Sequence, residues 1–233
     1  MGEMITKIPI FITARGHNKE EFDKNKECLK FTYIFISEQN LFDQTFIISD
    51  NKKLLDYALK LGFTKTIHYE CKNNNDIKYL EYLATYTYGK ENNYYPDWII
   101  ILNINQIFRS YSLISDCINN IDDNYDIITS YTEINNKSHF FISTLEKDKQ
   151  NLSHLLSHEL DLQCMVDSSI YAVQSKFAFE CMEYDDPSEH FWKGKIKFFK
   201  NKSVYVDIRN INHIKQYYKI RDILNEAKNI NVD

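Results

Sequence analysis

The stretch Ile8–Asn25, IPIFITARGHNKEEFDKN, contains the pattern that decides the fold. It opens with a short run of β-branched and aromatic residues that polar residues end abruptly, which predicts a buried strand. A glycine-containing loop with Arg15 and Lys19 follows, and helical periodicity then resumes. Loop amides, a helix N-terminus and two cations all favour a polyanion. We therefore predict that this loop binds phosphate groups.

The alternation of strand and helix continues along the chain. We predict helices at 21–35, 52–61, 76–88, 111–121 and 211–228, and further strands at 46–48, 64–68, 98–102, 126–133, 140–142, 167–173, 196–199 and 203–206. The apolar residues of 52–61 recur at helical spacing, with Ser49 or Asp50 as the predicted N-cap and Gly62 as the stop. Strand, cap, helix, glycine and strand in this order indicate a βαβ unit.

The bulk composition excludes several classes of protein. The 233 residues suit a single α/β domain. A net charge of -5 gives no electrostatic basis for binding nucleic acid or an anionic membrane, so phosphate binding must be local. The five cysteines are odd in number and unpaired in spacing, which indicates reduced thiols and a cytoplasmic setting. We expect no signal peptide and no membrane helix.

Several blocks of the sequence match a family pattern, beginning with A-R-G-x-x-K at 14–19 and K-N at 24–25. These residues resemble A-R-G-G-S-K…K-N, the opening motif of the CMP-sialic acid synthetases (acylneuraminate cytidylyltransferases). Asp50 matches the aspartate of the family's S-T-D-S block, and 97–109 resembles D-x-V-x-x-L-Q-P-T-S-P-L-R. The stretches 126–133 and 167–173 resemble D-S-V-x-S-V-T-E and N-G-A-I-Y-x-x. The resemblance ends at I-D-I-D, where Asp207 keeps the first aspartate and Arg209 replaces the second.

The resemblance implies both a fold and a reaction. The fold is α/β, a Rossmann-like, mostly parallel twisted sheet flanked by helices, in one domain over 1–233. A dimerisation segment would project from it at 135–167. The reaction transfers CMP from CTP to an acidic, nonulosonic-type sugar and releases pyrophosphate, with Mg²⁺ as cofactor.

Carried over by motif, the resemblance also assigns site residues. The catalytic residues are Arg15, Lys19 and Asp207, and Asp207 is the metal ligand. The nucleotide-binding residues are Arg15, Gly16, Asn18, Lys19 and Asn25. The substrate-binding residues are Asn103, Asn105 and Arg109, which follow a predicted strand, and Ser169, which lies within one. Ligands of open α/β sheets bind at the carboxyl ends of strands, so the first three positions suit a site.

Other interpretations stay open beside this one. Capping alone explains Asp50, and an ion pair with the following helix explains Arg109 equally well. His154 and His158 are four residues apart, but without a third ligand a surface or interface helix is favoured over zinc. The protein is alternatively a catalytically weak or inactive relative that binds nucleotide or sugar, or acts in assembly. A glycosyltransferase-like nucleotide-sugar binder ranks third, because no D-x-D metal motif is present.

The predicted projecting segment yields a first test. Residues 152–162 form an amphipathic stretch outside the alternation of strands and helices, and we expect a homodimer whose interface includes residues of 135–167. Light scattering at micromolar concentration should give twice the 27.8 kDa mass of the chain. A monomer mass would contradict the prediction.

Overall fold

A computed structural model describes residues 8–69, 77–134, 163–203, 208 and 210–219. The strands are β1 (Ile10–Thr13), β2 (Thr45–Ser49), β3 (Lys65–His68), β4 (Trp98–Leu102), β5 (Ile127–Ile134), β6 (Gln163–Gln174) and β7 (Ile196–Lys200). The helices are α1 (Lys19–Glu38), α2 (Lys52–Leu61), α3 (Ile77–Asn92), α4 (Leu113–Asn119), α5 (Ser175–Cys181), α6 (Pro187–Phe191) and a helix at 211–219. A short 3₁₀ turn, Phe42–Gln44, precedes β2.

The seven strands form one sheet in the order β3-β2-β1-β4-β6-β5-β7. The pairs β3–β2, β2–β1, β1–β4 and β5–β7 are parallel, whereas β6 runs antiparallel to both of its neighbours. The mostly parallel α/β sheet predicted from the sequence is therefore confirmed. The strand order reverses between β1 and β4, and ligands of open α/β sheets bind at such a point.

The core lies on both faces of the sheet, because parallel strands are buried on both sides. All five residues of β4 are buried. Ile100 and Leu102 join a cluster with residues of α1, α2 and α4, whereas Ile99 and Ile101 join a second cluster with residues of α3, α5 and α6. This alternation follows from the two-residue period of a strand. Burial on both faces explains why β4 appears in the sequence as a continuous apolar run.

The predicted helix cap is wrong in one respect. The N-cap of α2 is Asn51, whose side-chain oxygen accepts a hydrogen bond from the amide of Lys53 at 3.0 Å. Ser49 instead accepts from the Asn51 amide, and the Asp50 carboxylate is bonded to another loop. Gly62 ends α2 as predicted.

The boundary of the predicted dimerisation segment also changes. β6 begins at Gln163 and pairs with β5, so 163–167 belongs to the sheet. The rest of that segment lies outside the described residues, and so do its predicted strand at 140–142, His154 and His158. Residues 204–206 of the last predicted strand also lie outside them. The dimer thus stays a prediction. Within the described parts of the chain, no helix is long and apolar enough to cross a membrane.

Substitution of Gly62 tests why helix α2 ends at this residue. Its φ of 115° is a conformation that side-chain-bearing residues rarely adopt, and an added Cβ would lie 3.0 Å from Cε2 of Tyr33. We expect Gly62→Ala to lower the free energy of unfolding by about 1–2 kcal/mol. For a chain of this length each kcal/mol lowers Tm by about 2–4 °C, measurable by calorimetry. Lys60→Ala, on the exposed face of the same helix, is the control, and an equal loss in both variants would contradict the argument.

Candidate functional site at the carboxyl edge of the sheet

Four segments meet at the carboxyl edge of the central strands. They are the loop 14–18 after β1, the loop 103–110 after β4, a bulge of β6 at 167–170 and the chain that follows β7. The β4 loop is joined to the bulge by the Asn103 amide, which donates to the Ser169 carbonyl at 3.0 Å. It is joined to the chain after β7 by the Ile208 amide, which donates to the Asn105 carbonyl at 3.1 Å. Residues distant in sequence therefore surround one edge.

The loop after β1 is fastened to the start of α2. The Gly16 amide donates to Oδ1 of Asp50 at 2.9 Å, and Nε of Arg15 lies 3.7 Å from Oδ2 of the same carboxylate. On the other side, Nδ2 of Asn51 donates to the Gly16 carbonyl at 2.8 Å. The Arg15 and Asp50 side chains are only 8% and 9% exposed, so water screens this pair less than a surface pair. Asp50 is thus a loop-holding residue, and it does not cap α2.

Gly16 is required by packing. A Cβ at this position would lie 2.7 Å from Cβ of Asn51 and 2.9 Å from Cδ1 of Leu54. No side chain fits in that space unless α2 moves away. The Gly16 amide already has an acceptor, so its predicted nucleotide-binding role requires that acceptor to be exchanged.

The N-terminus of α1 is capped by side chains of the chain itself. Oδ1 of Asn18 accepts from the Glu21 amide at 2.9 Å, and Oε2 of Glu21 accepts from the His17 amide at 3.1 Å. This arrangement is a variant of the capping box and satisfies two donors that a phosphate would otherwise contact. Lys19, in the first turn of α1, is exposed. Lys19 is therefore the cation of this loop that faces solvent.

Asn25 connects α1 to the loop after β1. It is buried, and its Nδ2 donates to the Arg15 carbonyl at 2.6 Å. Its Oδ1 is buried, with no hydrogen-bond partner among the residues that the structure describes. Asn25 thus orients the backbone at Arg15, and its direct nucleotide contact stays a prediction.

The loop after β4 directs Arg109 toward α1. The guanidinium donates to the Asn103 carbonyl at 2.8 Å and to Oγ1 of Thr32 at 3.2 Å, and its central carbon lies 5.4 Å from the centre of the Phe35 ring. Burial lowers the pKa of Arg109 to about 10. Among the described residues no carboxylate lies within ion-pair distance of Arg109, so the predicted ion pair is not found there. Its contacts are those of a packing residue, and its sugar-binding role stays a prediction.

Asn103 and Asn105 form a tight polar turn at the end of β4. Oδ1 of Asn103 accepts from the Asn105 amide at 3.0 Å. Among the described residues, Oδ1 of Asn105 is buried without a hydrogen-bond partner, although the Asn105 carbonyl accepts from Ile208. Buried polar atoms in folded proteins normally have a partner. Of the predicted substrate-binding residues, Asn105 and Arg109 each have such an atom, Oδ1 and Nε, without a partner in the described part of the chain.

A buried carboxylate, Asp167, organises the bulge of β6. It is 1% exposed and accepts from the Ser130 hydroxyl, from the Ser169 amide at 2.8 Å and from Nδ2 of Asn201 at 2.9 Å. The same Asn201 amide group donates to Oγ of Ser169 at 3.1 Å. Ser168, inside the bulge, has a φ of 53°, a conformation usually filled by glycine, and the resembling motif carries glycine there. Ser169 is therefore part of a structural network.

The chain after β7 is held against the β4 loop by further polar contacts. Oγ of Ser203 accepts from the Ser110 amide at 2.7 Å. Nζ of Lys202 lies 2.9 Å from Oδ2 of Asp116, and this hydrogen bond lowers the pKa of that carboxyl. The sequence does not single out Asp167 and Asn201, because little in their local pattern distinguishes them from surface polar residues. The available signal is an acidic residue directly after Met165 and Val166 in a strand.

The predicted metal ligand Asp207 lies outside the described residues, together with Arg209. The intervening Ile208 is buried and bonded to Asn105 at the end of β4. In the described part of the chain, no three histidine, cysteine or acidic side chains come together as a metal site. Mg²⁺ commonly takes one or two carboxylates plus phosphate oxygens and water, and Oδ1 of Asn105 is a hard oxygen of that kind. This oxygen suits Mg²⁺, and the metal site with Asp207 stays a prediction.

Comparisons with known proteins support the fold. No family model matches the sequence, and no curated protein matches it either. Among solved structures, a CMP:2-keto-3-deoxy-manno-octonic acid synthetase complexed with CTP is similar, with 11% identity, a TM-score of 0.61, and coverage of 95% of this chain and 99% of that one. A 4-diphosphocytidyl-2C-methyl-D-erythritol synthase has 8% identity, a TM-score of 0.60, and coverage of 94% and 99%.

A third structure, the corresponding synthase from Anaerococcus prevotii DSM 20548, has 12% identity, a TM-score of 0.55, and coverage of 88% and 93%. At such identities the similarity establishes the shared architecture alone. The chain therefore has the Rossmann-like, mostly parallel sheet predicted for it, and the match extends over nearly its whole length.

The Asp167 network yields a stability prediction. Asp167→Ala removes the acceptor of three buried donors, so we expect the free energy of unfolding to fall by about 2–4 kcal/mol. Urea denaturation followed by circular dichroism measures it. Asp185→Ala, an exposed aspartate before α6, is the control and should stay within about 0.5 kcal/mol of the wild type. A loss below 1 kcal/mol in Asp167→Ala would show that the network does not hold the bulge.

Proposed function

We propose that this protein is a nucleotidyltransferase that moves CMP from CTP to an acidic, nonulosonic-type sugar and releases pyrophosphate. The observation that carries the proposal is the meeting of the cationic loop after β1 with the polar turn after β4 at one edge of the sheet. Two similar solved structures, a CMP:2-keto-3-deoxy-manno-octonic acid synthetase complexed with CTP and a 4-diphosphocytidyl-2C-methyl-D-erythritol synthase, support the proposal. The opening motif A-R-G-x-x-K adds the resemblance to CMP-sialic acid synthetases.

The reaction needs positioning and charge neutralisation more than covalent help from the protein. The anomeric hydroxyl of the sugar attacks the α-phosphorus of CTP, a new phosphorus–oxygen bond forms, and the bond to pyrophosphate breaks. Negative charge accumulates on the phosphate oxygens, where Lys19 and Arg15 would neutralise it. Lys19 is exposed and ready for this contact, whereas Arg15 must leave a buried pair. Asn18 and Asn25 hold the loop that carries both cations.

On the sugar side, the proposal uses the turn after β4. Asn103 and Asn105 present polar groups at the carboxyl end of the central strand. The Ser169 carbonyl accepts from the Asn103 amide, and the Arg109 guanidinium donates to the Asn103 carbonyl, so both residues hold this turn in place. Mg²⁺, held by Asp207 with the Asn105 amide oxygen, would supply charge neutralisation at the phosphates. The acidic nature of the sugar, the homodimer and the cytoplasmic setting are parts of the same proposal.

A non-catalytic nucleotide or sugar binder is the second candidate, and one observation favours it. The Gly16 amide and the Arg15 side chain are both engaged by Asp50, and the α1 N-terminus is capped by Asn18 and Glu21. These donors of the loop already have partners within the chain, so a phosphate would have to replace those partners. Binding of CTP without pyrophosphate release would select this candidate over the enzyme.

Replacement of Lys19 tests the proposed function. We expect Lys19→Met to lower CTP-dependent pyrophosphate release in the presence of Mg²⁺ and sialic acid by about 100-fold, because one phosphate-neutralising charge is lost. A coupled pyrophosphate assay measures the rate. Lys60→Met removes the same charge from the exposed face of α2 and should leave the rate unchanged. If the wild type binds no nucleotide in a thermal-shift panel with and without Mg²⁺, the proposed function is wrong.

A further inference from the structure

The two oxygens of Asp50 occupy a position suited to a phosphate group. Oδ1 accepts from a loop amide, that of Gly16 at 2.9 Å, and Oδ2 lies 3.7 Å from Nε of Arg15. A main-chain N–H beside a guanidinium is the donor combination that recognises phosphate oxygens. The chain thus places its own carboxylate on the donors that the loop after β1 would offer to a nucleotide.

Packing keeps Asp50 in that position. Asn51, the next residue, caps α2 with its side-chain oxygen and donates from Nδ2 to the Gly16 carbonyl at 2.8 Å. Gly16 has no space for a Cβ against Asn51 and Leu54, so loop and helix are in close contact. The Asp50 side chain is 9% exposed, and its charge therefore acts on Arg15 with little screening by water. The carboxylate therefore lies on the loop when no phosphate is bound.

We infer that Asp50 is an internal competitor for the phosphate position of the loop after β1. This inference rests on the proposed function. A nucleotide phosphate replaces the Asp50 carboxylate at Arg15 and at the Gly16 amide when it binds. Asp50 therefore sets the nucleotide affinity of the site without being part of the reaction, and it acts through Arg15 as a positioning residue. Lys19, which is exposed, makes the first contact with the incoming phosphates.

Substitution of Asp50 by Asn separates competition from simple support. Asp50→Asn keeps an oxygen acceptor for the Gly16 amide and removes the negative charge beside Arg15. Calorimetric titration with inorganic tripolyphosphate, and separately with CTP, should show about tenfold tighter binding than the wild type. The double variant Arg15→Met with Asp50→Asn should lose that gain. Asp56→Asn, an exposed aspartate of α2, removes the same unit of charge and should not change either affinity.

The outcomes distinguish this inference from the proposed function. If the wild type and Asp50→Asn bind CTP with equal affinity, or if Asp50→Asn binds more weakly, the competition is wrong and the nucleotide site stands. If neither protein binds CTP or tripolyphosphate, both the proposed function and the inference fall. If Asp56→Asn gains as much affinity for CTP and tripolyphosphate as Asp50→Asn, the gain comes from net charge, and the inference is wrong.

A measurement on the wild type covers the case in which Asp50→Asn does not fold. In ¹⁵N-labelled protein, saturating tripolyphosphate should shift the Gly16 amide resonance, because its acceptor changes from carboxylate to phosphate. The Lys53 amide, which is bonded to Asn51, is the internal reference and should move less. If tripolyphosphate binds without shifting the Gly16 amide resonance, the inferred change of acceptor from carboxylate to phosphate is wrong.

Discussion

The parallel pairing of β1 with β4 is the constraint on which the rest of the structure depends. Ile10 and Phe11 stand beside Ile100 and Ile101, and the Ile100 amide donates to the Pro9 carbonyl at 2.9 Å. Both strands are buried on both faces, so this register cannot slip without moving apolar residues out of the core. Because the strands are parallel, their carboxyl ends reach the same edge, and the loop of Arg15 comes to lie beside the turn of Asn103.

Two carboxylates, the largely buried Asp50 and the fully buried Asp167, then fix the loops that the sheet brings together. Asp50 holds the loop after β1, and Asp167 holds the bulge of β6 and the start of the chain after β7. Burying a carboxylate costs free energy unless donors surround it, and both aspartates have such donors. These contacts are directional, whereas the apolar packing beneath them is not. The edge of the sheet therefore owes its shape to hydrogen bonds and its stability to the core.

The charges at this edge bear directly on the proposed binding of phosphate groups. The chain carries a net charge of -5, so attraction of a polyanion depends on a few cations. Arg109 is directed into the packing against α1, Arg15 faces Asp50, and Lys19 faces solvent. The similar solved structures share only 8–12% of their residues with this chain, so the sheet is retained while most side chains differ. The identity of the edge residues, more than the sheet, decides what is bound.

The sequence by itself determined the elements whose signals are local. The apolar run 98–102 predicted a buried strand, Gly62 predicted the end of α2, and the alternation of strands and helices predicted the sheet. The positions of Arg15 and Lys19 beside the first strand were also visible, because they follow it directly along the chain.

Only the tertiary structure decided which partner each polar side chain takes. Gly16 and Asp50 are 34 residues apart, and Asp167 and Asn201 are separated by the same interval. Local pattern allowed Asp50 to be a helix cap, but the fold placed it on the loop after β1 and left the cap to Asn51. A hydrogen bond between distant residues depends on where the sheet register brings two loops together. No local property of either residue encodes that register, so sequence reasoning could locate the edge but not its internal contacts.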